Sequence, residues 1–163
     1  MMADPVRVLL IDDEADFLES ISYWLTSKGY QVHKASSGGQ GLAILKEHKP
    51  DIVFLDVMMP EMDGIETLRR IRAIDKALPV ILVTASNLTD ENKYAGAKAL
   101  GISGLFPKGT SLTQLGEVLQ VALRRLRKSD AQSSTAASEA GPASRGGILA
   151  SLRKALGRFA PPH

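Results

Sequence analysis

The chain has 163 residues, 44% of them apolar, a formal net charge of +2 and no cysteine. The missing cysteines exclude disulfides, zinc–thiolate sites and thiol catalysis, and no apolar run is long enough to span a membrane. Residues 1–128 hold as many basic as acidic side chains (16 of each), so the positive excess belongs to 129–163 and no domain-wide nucleic-acid footprint is present.

The opening residues, Met1-Met2-Ala3-Asp4-Pro5, lack the charged and apolar regions of a secretory signal, which makes the cytoplasm the expected location. Val8–Ile11 reads as a first buried strand. Phe17, Leu18, Ile21, Trp24 and Leu25 then recur at helical spacing up to Gly29. A second strand is expected over Tyr30–Lys34 and a helix near Gln40–His48. A third strand, Ile52–Leu55, leads through a Pro60 and Gly64 loop to a helix near Ile65–Asp75. A fourth, Val80–Val83, precedes a helix near Asp90–Leu100 that Gly101 ends. A short fifth strand at Leu105-Phe106 precedes a last helix from about Ser111 to Lys128. Strands alternating with helices predict an α/β fold: a doubly wound, five-stranded parallel sheet joined by right-handed crossovers. Ser129 to Gly147 is rich in Ser, Ala and Gly and reads as a flexible linker spanning about 25 Å. In 148–163, Ile148, Leu149, Leu152, Leu156 and Phe159 share one helical face, with Arg153, Lys154 and Arg158 elsewhere. This is a short basic amphipathic tail helix suited to a protein groove or a membrane surface. The domains read as 1–128, 129–147 and 148–163.

The strand exits carry the chemistry. The first run ends on Asp12 and Asp13, the third on Asp56, the fourth on Thr84, and the fifth is followed by Pro107 and Lys108. Ligand sites of open parallel sheets lie beyond the carboxyl ends of the strands, so these groups are expected at one rim. Two carboxylates about 4 Å apart repel by roughly 4 kcal/mol at an effective dielectric near 20, so three at one rim would either raise a pKa or recruit a cation. Oxygen-only ligands favour Mg²⁺ or Mn²⁺ over zinc, and an aspartate beside such a metal is suited to attack phosphorus. Lys108 would balance the charge of a transferred group, and the Thr84 hydroxyl would hydrogen-bond to it. Taken singly, Asp12-Asp13 also suits a helix cap and Asp56 a turn.

The stretches Val8-Leu9-Leu10-Ile11-Asp12-Asp13-Glu14, Asp56-Val57-Met58-Met59-Pro60, Met62-Asp63-Gly64, Thr84-Ala85-Ser86 and Pro107-Lys108 resemble the receiver domain of bacterial two-component response regulators over residues 6–126. The resemblance implies a flavodoxin-like fold with strand order 2-1-3-4-5. It implies Asp56 as phosphoacceptor, with Thr84 and Lys108 reading the phosphoryl group. It also implies Mg²⁺ held by Asp12, Asp13, Asp56 and the backbone carbonyl of Met58. Three residues before the lysine, where the family usually has an aromatic, stands Leu105. Gly109 replaces the proline that usually follows, and the chain is about two residues longer around Asn87–Asp90. Met58 and Ser86 occupy positions where the family tunes water attack on the phosphoaspartate.

The expected function is a single-domain response regulator. It takes a phosphoryl group from a histidine kinase or phosphotransfer protein onto Asp56 and signals to a downstream protein target through phosphorylation-dependent contacts. It is expected not to be a turnover enzyme. The residues beyond the last helix are too few for a helix-turn-helix, so no direct DNA binding is expected. Two alternatives stay open: a metal-dependent small-molecule phosphatase or phosphotransferase, and a receiver-like scaffold that is never phosphorylated.

Overall fold

Runs that are apolar on both faces have to be covered on both faces, and the computed structural model, which describes residues 3–85 and 91–139, covers them with helices. The elements are β1 (Arg7–Ile11), α1 (Ala15–Ser27), β2 (Gln31–Ala35), α2 (Gly38–His48), β3 (Ile52–Asp56), α3 (Gly64–Ile74), β4 (Val80–Thr84), α4 (Glu91–Leu100), β5 (Gly104–Pro107) and α5 (Leu112–Glu139). The strands pair in parallel in the order β2-β1-β3-β4-β5, as the resemblance implies.

Alternation along each strand divides the core. Leu9, Ile11, Val53, Leu55, Val80 and Leu82 pack with Leu45, Leu68 and Ile71 from the α2 and α3 side. Val8, Leu10, Ile52, Phe54, Ile81 and Val83 pack on the other face with Leu18, Ile21, Leu25, Leu115 and Leu119 from α1 and α5. Fully burying one such side chain contributes about 1.5–3 kcal/mol, so the central strands are the strongest part of the structure. β2, with its exposed Gln31 and Lys34, suits the sheet edge it occupies.

Helix ends follow local chemistry. The Ser37 hydroxyl accepts from the Gln40 amide to start α2, and the Asp63 carboxylate accepts from the Glu66 amide to start α3. Gly29, at φ +91°, closes α1. Boundaries differ from expectation by one or two residues except at one end. α5 runs to Glu139, so residues 129–139, expected as the start of a flexible linker, are helical. Between Gly116 and Gly141 the sequence holds neither Gly nor Pro. Extending a helix that is already nucleated needs only modest propensity per residue. The chain divides into two units after Arg124, four residues before the expected boundary at Lys128. Ser86 to Asp90, the rest of the linker and the 148–163 segment lie outside the described residues. Among the described residues, no helix is long and apolar enough to cross a membrane.

Candidate phosphoryl and metal site

Parallel register assembles the site. Ile11 pairs with Leu55, so the next residues, Asp12 and Asp56, stand on neighbouring strands at the same rim. Asp56 pairs with Val83 and Thr84 with Pro107, which brings Lys108 to the same level. The Lys108 amide donates to the Thr84 carbonyl at 2.6 Å. Gly64 lets the β3–α3 connection fold tightly behind Asp56: a Cβ there would lie 2.2 Å from the Asp56 carbonyl oxygen.

Lys108 is the hub. Its Nζ lies 2.7 Å from Asp12 Oδ2, 2.7 Å from Glu14 Oε1 and 3.3 Å from Asp56 Oδ2, with the Phe17 ring centroid 4.7 Å away. The contacts to Glu14 and Asp56 are directed hydrogen bonds. The approach to Asp12 is a close ion pair that leaves Oδ2 buried without a hydrogen bond. Asp12 Oδ1 accepts from the Glu14 amide at 2.8 Å, and Asp56 Oδ1 from the Met58 amide at 3.2 Å. Asp12, Asp56 and Thr84 are buried, whereas Asp13 and the Met58 side chain are exposed.

Electrostatics follow. Burial, then repulsion from Asp12, pushes the Asp56 carboxyl up to about 7, against the opposing pull of the Met58 amide and Lys108. Burial would lower the Lys108 ammonium, but the carboxylates of Asp12, Glu14 and Asp56 outweigh it and hold it above its ordinary value. Three carboxylates, Asp12, Glu14 and Asp56, face one ammonium, and exposed Asp13 adds a fourth at the rim, which is net negative. Asp12, Asp13 and Asp56 each offer an oxygen within 4.8 Å of the others. These all-oxygen donors, with Asp12 Oδ2 buried in an ion pair but not hydrogen-bonded, fit a hard divalent cation.

The structure thus brings together Asp12, Asp13, Asp56 and Lys108 and places Thr84 and Met58 beside them. Glu14 and Phe17, which also reach Lys108, were not foreseen; a glutamate at the start of α1, directly after paired aspartates, was the available signal. On β5, Leu105 packs towards the α2 and α3 side and Phe106 towards α1 and α5. Phe106 therefore does not replace the aromatic missing at Leu105. The peptide joining Lys108 to Gly109 is trans, and Gly109 has φ +89°.

Residues 8–120 match the family described as the response regulator receiver domain. The response regulator MprA of Mycolicibacterium vanbaalenii is 36% identical over 133 residues, covering 82% of this chain and 57% of that protein. The MprA of Mycobacterium tuberculosis is 36% identical over 131 residues, 80% of this chain and 56% of its own length. The chain thus spans little more than half of these curated relatives. Among solved structures, the chemotaxis protein CheY4 of Vibrio cholerae superposes with a TM-score of 0.67 at 29% identity, covering 71% of this chain and 97% of that one. A response regulator receiver domain protein from Clostridium thermocellum gives 0.69 at 30% identity, covering 75% and 97%.

Proposed function

This chain belongs to the response regulator receiver domain family of two-component signalling, and from that premise we propose that Asp56 accepts a phosphoryl group from a histidine kinase or phosphotransfer protein. The observation that carries the reading is the placing of Lys108 Nζ within 2.7 Å of Asp12 and 3.3 Å of Asp56 at the carboxyl rim of the sheet. One buried ammonium there spans a metal-ligand carboxylate and the acceptor.

Asp12, Asp13 and Asp56, joined by the Met58 carbonyl, would hold Mg²⁺. When bound, the ion neutralises the carboxylates and the phosphoryl oxygens. The chain's own residues do the rest. Ionised Asp56 attacks phosphorus as the bond to the donor's leaving atom breaks, and the electron pair departs with the donor. The Met58 amide steadies the other carboxylate oxygen. Lys108 donates to the phosphoryl oxygens, and Thr84, at the end of β4, hydrogen-bonds one of them.

The added charge shifts a pre-existing two-state equilibrium and changes what the surface near β4 and β5 binds, so the output is contact with a downstream protein. The protein acts in the cytoplasm and turns over no free substrate. The basic segment 148–163 docks a protein groove or a membrane surface and localises that output.

Incubation with acetyl phosphate and magnesium, read by intact mass, tests this. A gain of one phosphate, abolished in Asp56→Ala, supports it. No gain supports the scaffold alternative, and sustained hydrolysis of a generic phosphate ester supports the phosphatase.

A further inference from the structure

Glu14 stands at the N-cap of α1, yet its side chain makes no cap hydrogen bond. Glutamate is not among the favoured capping residues, so the helix does not account for it. Its Oε1 instead accepts from Lys108 Nζ at 2.7 Å, closer than Asp56 at 3.3 Å.

An ammonium has three N–H groups. On Lys108 two are hydrogen-bonded to Glu14 and Asp56, and the remaining approach is taken by Asp12 Oδ2 and the Phe17 ring. The third N–H makes no hydrogen bond and is crowded by the Phe17 ring and Asp12 Oδ2, so a hydrogen-bonded donor reaches an incoming phosphoryl oxygen only by leaving its partner. The Asp12 and Asp56 side chains are 3% and 2% exposed, and releasing either would strand a buried anion. The Glu14 side chain is 59% exposed, and water replaces its lost bond at little cost.

We propose that Glu14 is a positioning residue. It holds Lys108 in place before transfer and surrenders it to the phosphoryl group, a role that rests on reading Asp56 as the acceptor. With acetyl phosphate, the bond from an Asp56 oxygen to phosphorus forms as the bond from phosphorus to the acetate oxygen breaks. Acetate leaves with the electron pair. The Lys108 N–H moves from Glu14 to a phosphoryl oxygen, and no proton is transferred. The Glu14–Lys108 contact is thus a brake on transfer.

Two variants of the full chain separate contact from charge. Glu14→Gln keeps the shape and removes the charge; Glu14→Asp keeps the charge but is one methylene too short for the contact. Phosphate gain is followed by intact mass across an acetyl phosphate series with magnesium, separating the saturation constant from the limiting rate. Both variants are expected to raise the limiting rate by about two- to fivefold, the scale of a half-exposed ion pair. Asp16→Asn, which neutralises an exposed carboxylate in the first turn of α1, is expected to leave it unchanged. Variants at the parental rate overturn the proposal, as does acceleration in Glu14→Gln with Glu14→Asp unchanged, which is a through-space charge effect. A second readout is the carboxyl-carbon NMR resonance of Glu14. Adding beryllofluoride with magnesium should move it to the position of a free glutamate, and an unmoved resonance overturns the exchange. If the parent chain gains no phosphate, the Asp56 reading fails and takes this proposal with it. If the parent gains phosphate and the variants match it, only the role of Glu14 fails.

Discussion

Lys108, at the end of β5, reaches past β4 to stand 3.3 Å from Asp56 at the end of β3, across 52 residues of sequence. Removing the ammonium leaves Asp12 and Asp56 facing each other without a counter-charge. Lys108→Met keeps the apolar stem but is expected to slow phosphate gain by about 100-fold. Without magnesium it should cost about 2–3 kcal/mol of stability at neutral pH, softened because Asp56 takes up a proton. Intact mass and denaturant titration measure the two effects. Labelling at the parental rate would remove Lys108 from the chemistry.

The raised Asp56 carboxyl gives a pH dependence with a definite sign. The unfolded chain loses this proton near pH 3.8, while the metal-free folded protein keeps it to about pH 7. The unfolded state therefore binds fewer protons between those limits, and stability from this group falls as pH rises from about 4 to 7. His33 acts in the opposite sense: burial, then His48 stacked 4.2 Å away and Arg7, lower it, so its contribution is lost on acidification. The difference between the parent and Asp56→Asn isolates the Asp56 part. Stability curves with equal slopes in the two proteins would refute it, and magnesium should flatten the parental slope.

Met58 exposes 62% of its surface beside Asp56, the proposed acceptor, and offers no polar side-chain atom to orient an attacking water. The phosphoryl group is expected to be long-lived, and Met58→Asn to shorten its lifetime. Decay of labelled protein after removal of the donor is the measurement. Unchanged or slower decay in the variant would defeat the idea.

Gly64→Ala tests the tight connection behind Asp56. The new Cβ would meet the Asp56 carbonyl oxygen at 2.2 Å and Val57 Cα at 2.7 Å, both backbone atoms that cannot swing aside. A loss of about 3 kcal/mol in denaturant unfolding is expected, together with weaker magnesium binding. A variant as stable as the parent would show that the β3–α3 connection has room to give.

Arg72 ties α3 to the end of α4. Its guanidinium donates to the Leu100 carbonyl at 2.8 Å, Gly101 at 2.6 Å and Asp75 at 3.1 Å. Arg72→Ala is expected to cost about 1–3 kcal/mol, because three carbonyls lose their donor. Arg72→Lys should recover little, since a point charge does not reproduce the planar fork. Hydrogen exchange at the carboxyl end of α4 should quicken in both variants; full protection in Arg72→Lys would count against the fork.

What the sequence determined by itself was local. Apolar runs of four residues marked the central strands, helical spacing from Phe17 to Leu25 marked α1, and the polar residue after each run marked the rim. Adjacent residues encode such patterns, and the parallel order follows because doubly covered strands need crossovers on both faces. Composition misled at Ser129–Glu139, where a Ser- and Ala-rich stretch without Gly or Pro continued a helix already formed. Only tertiary packing decided that Lys108 takes Glu14 from 94 residues away as well as Asp56, that Gly64 lies against the Asp56 carbonyl, and that Phe106 faces away from the side Leu105 occupies. Those distances depend on strand register and on how closely backbones approach, and no short-range pattern specifies either.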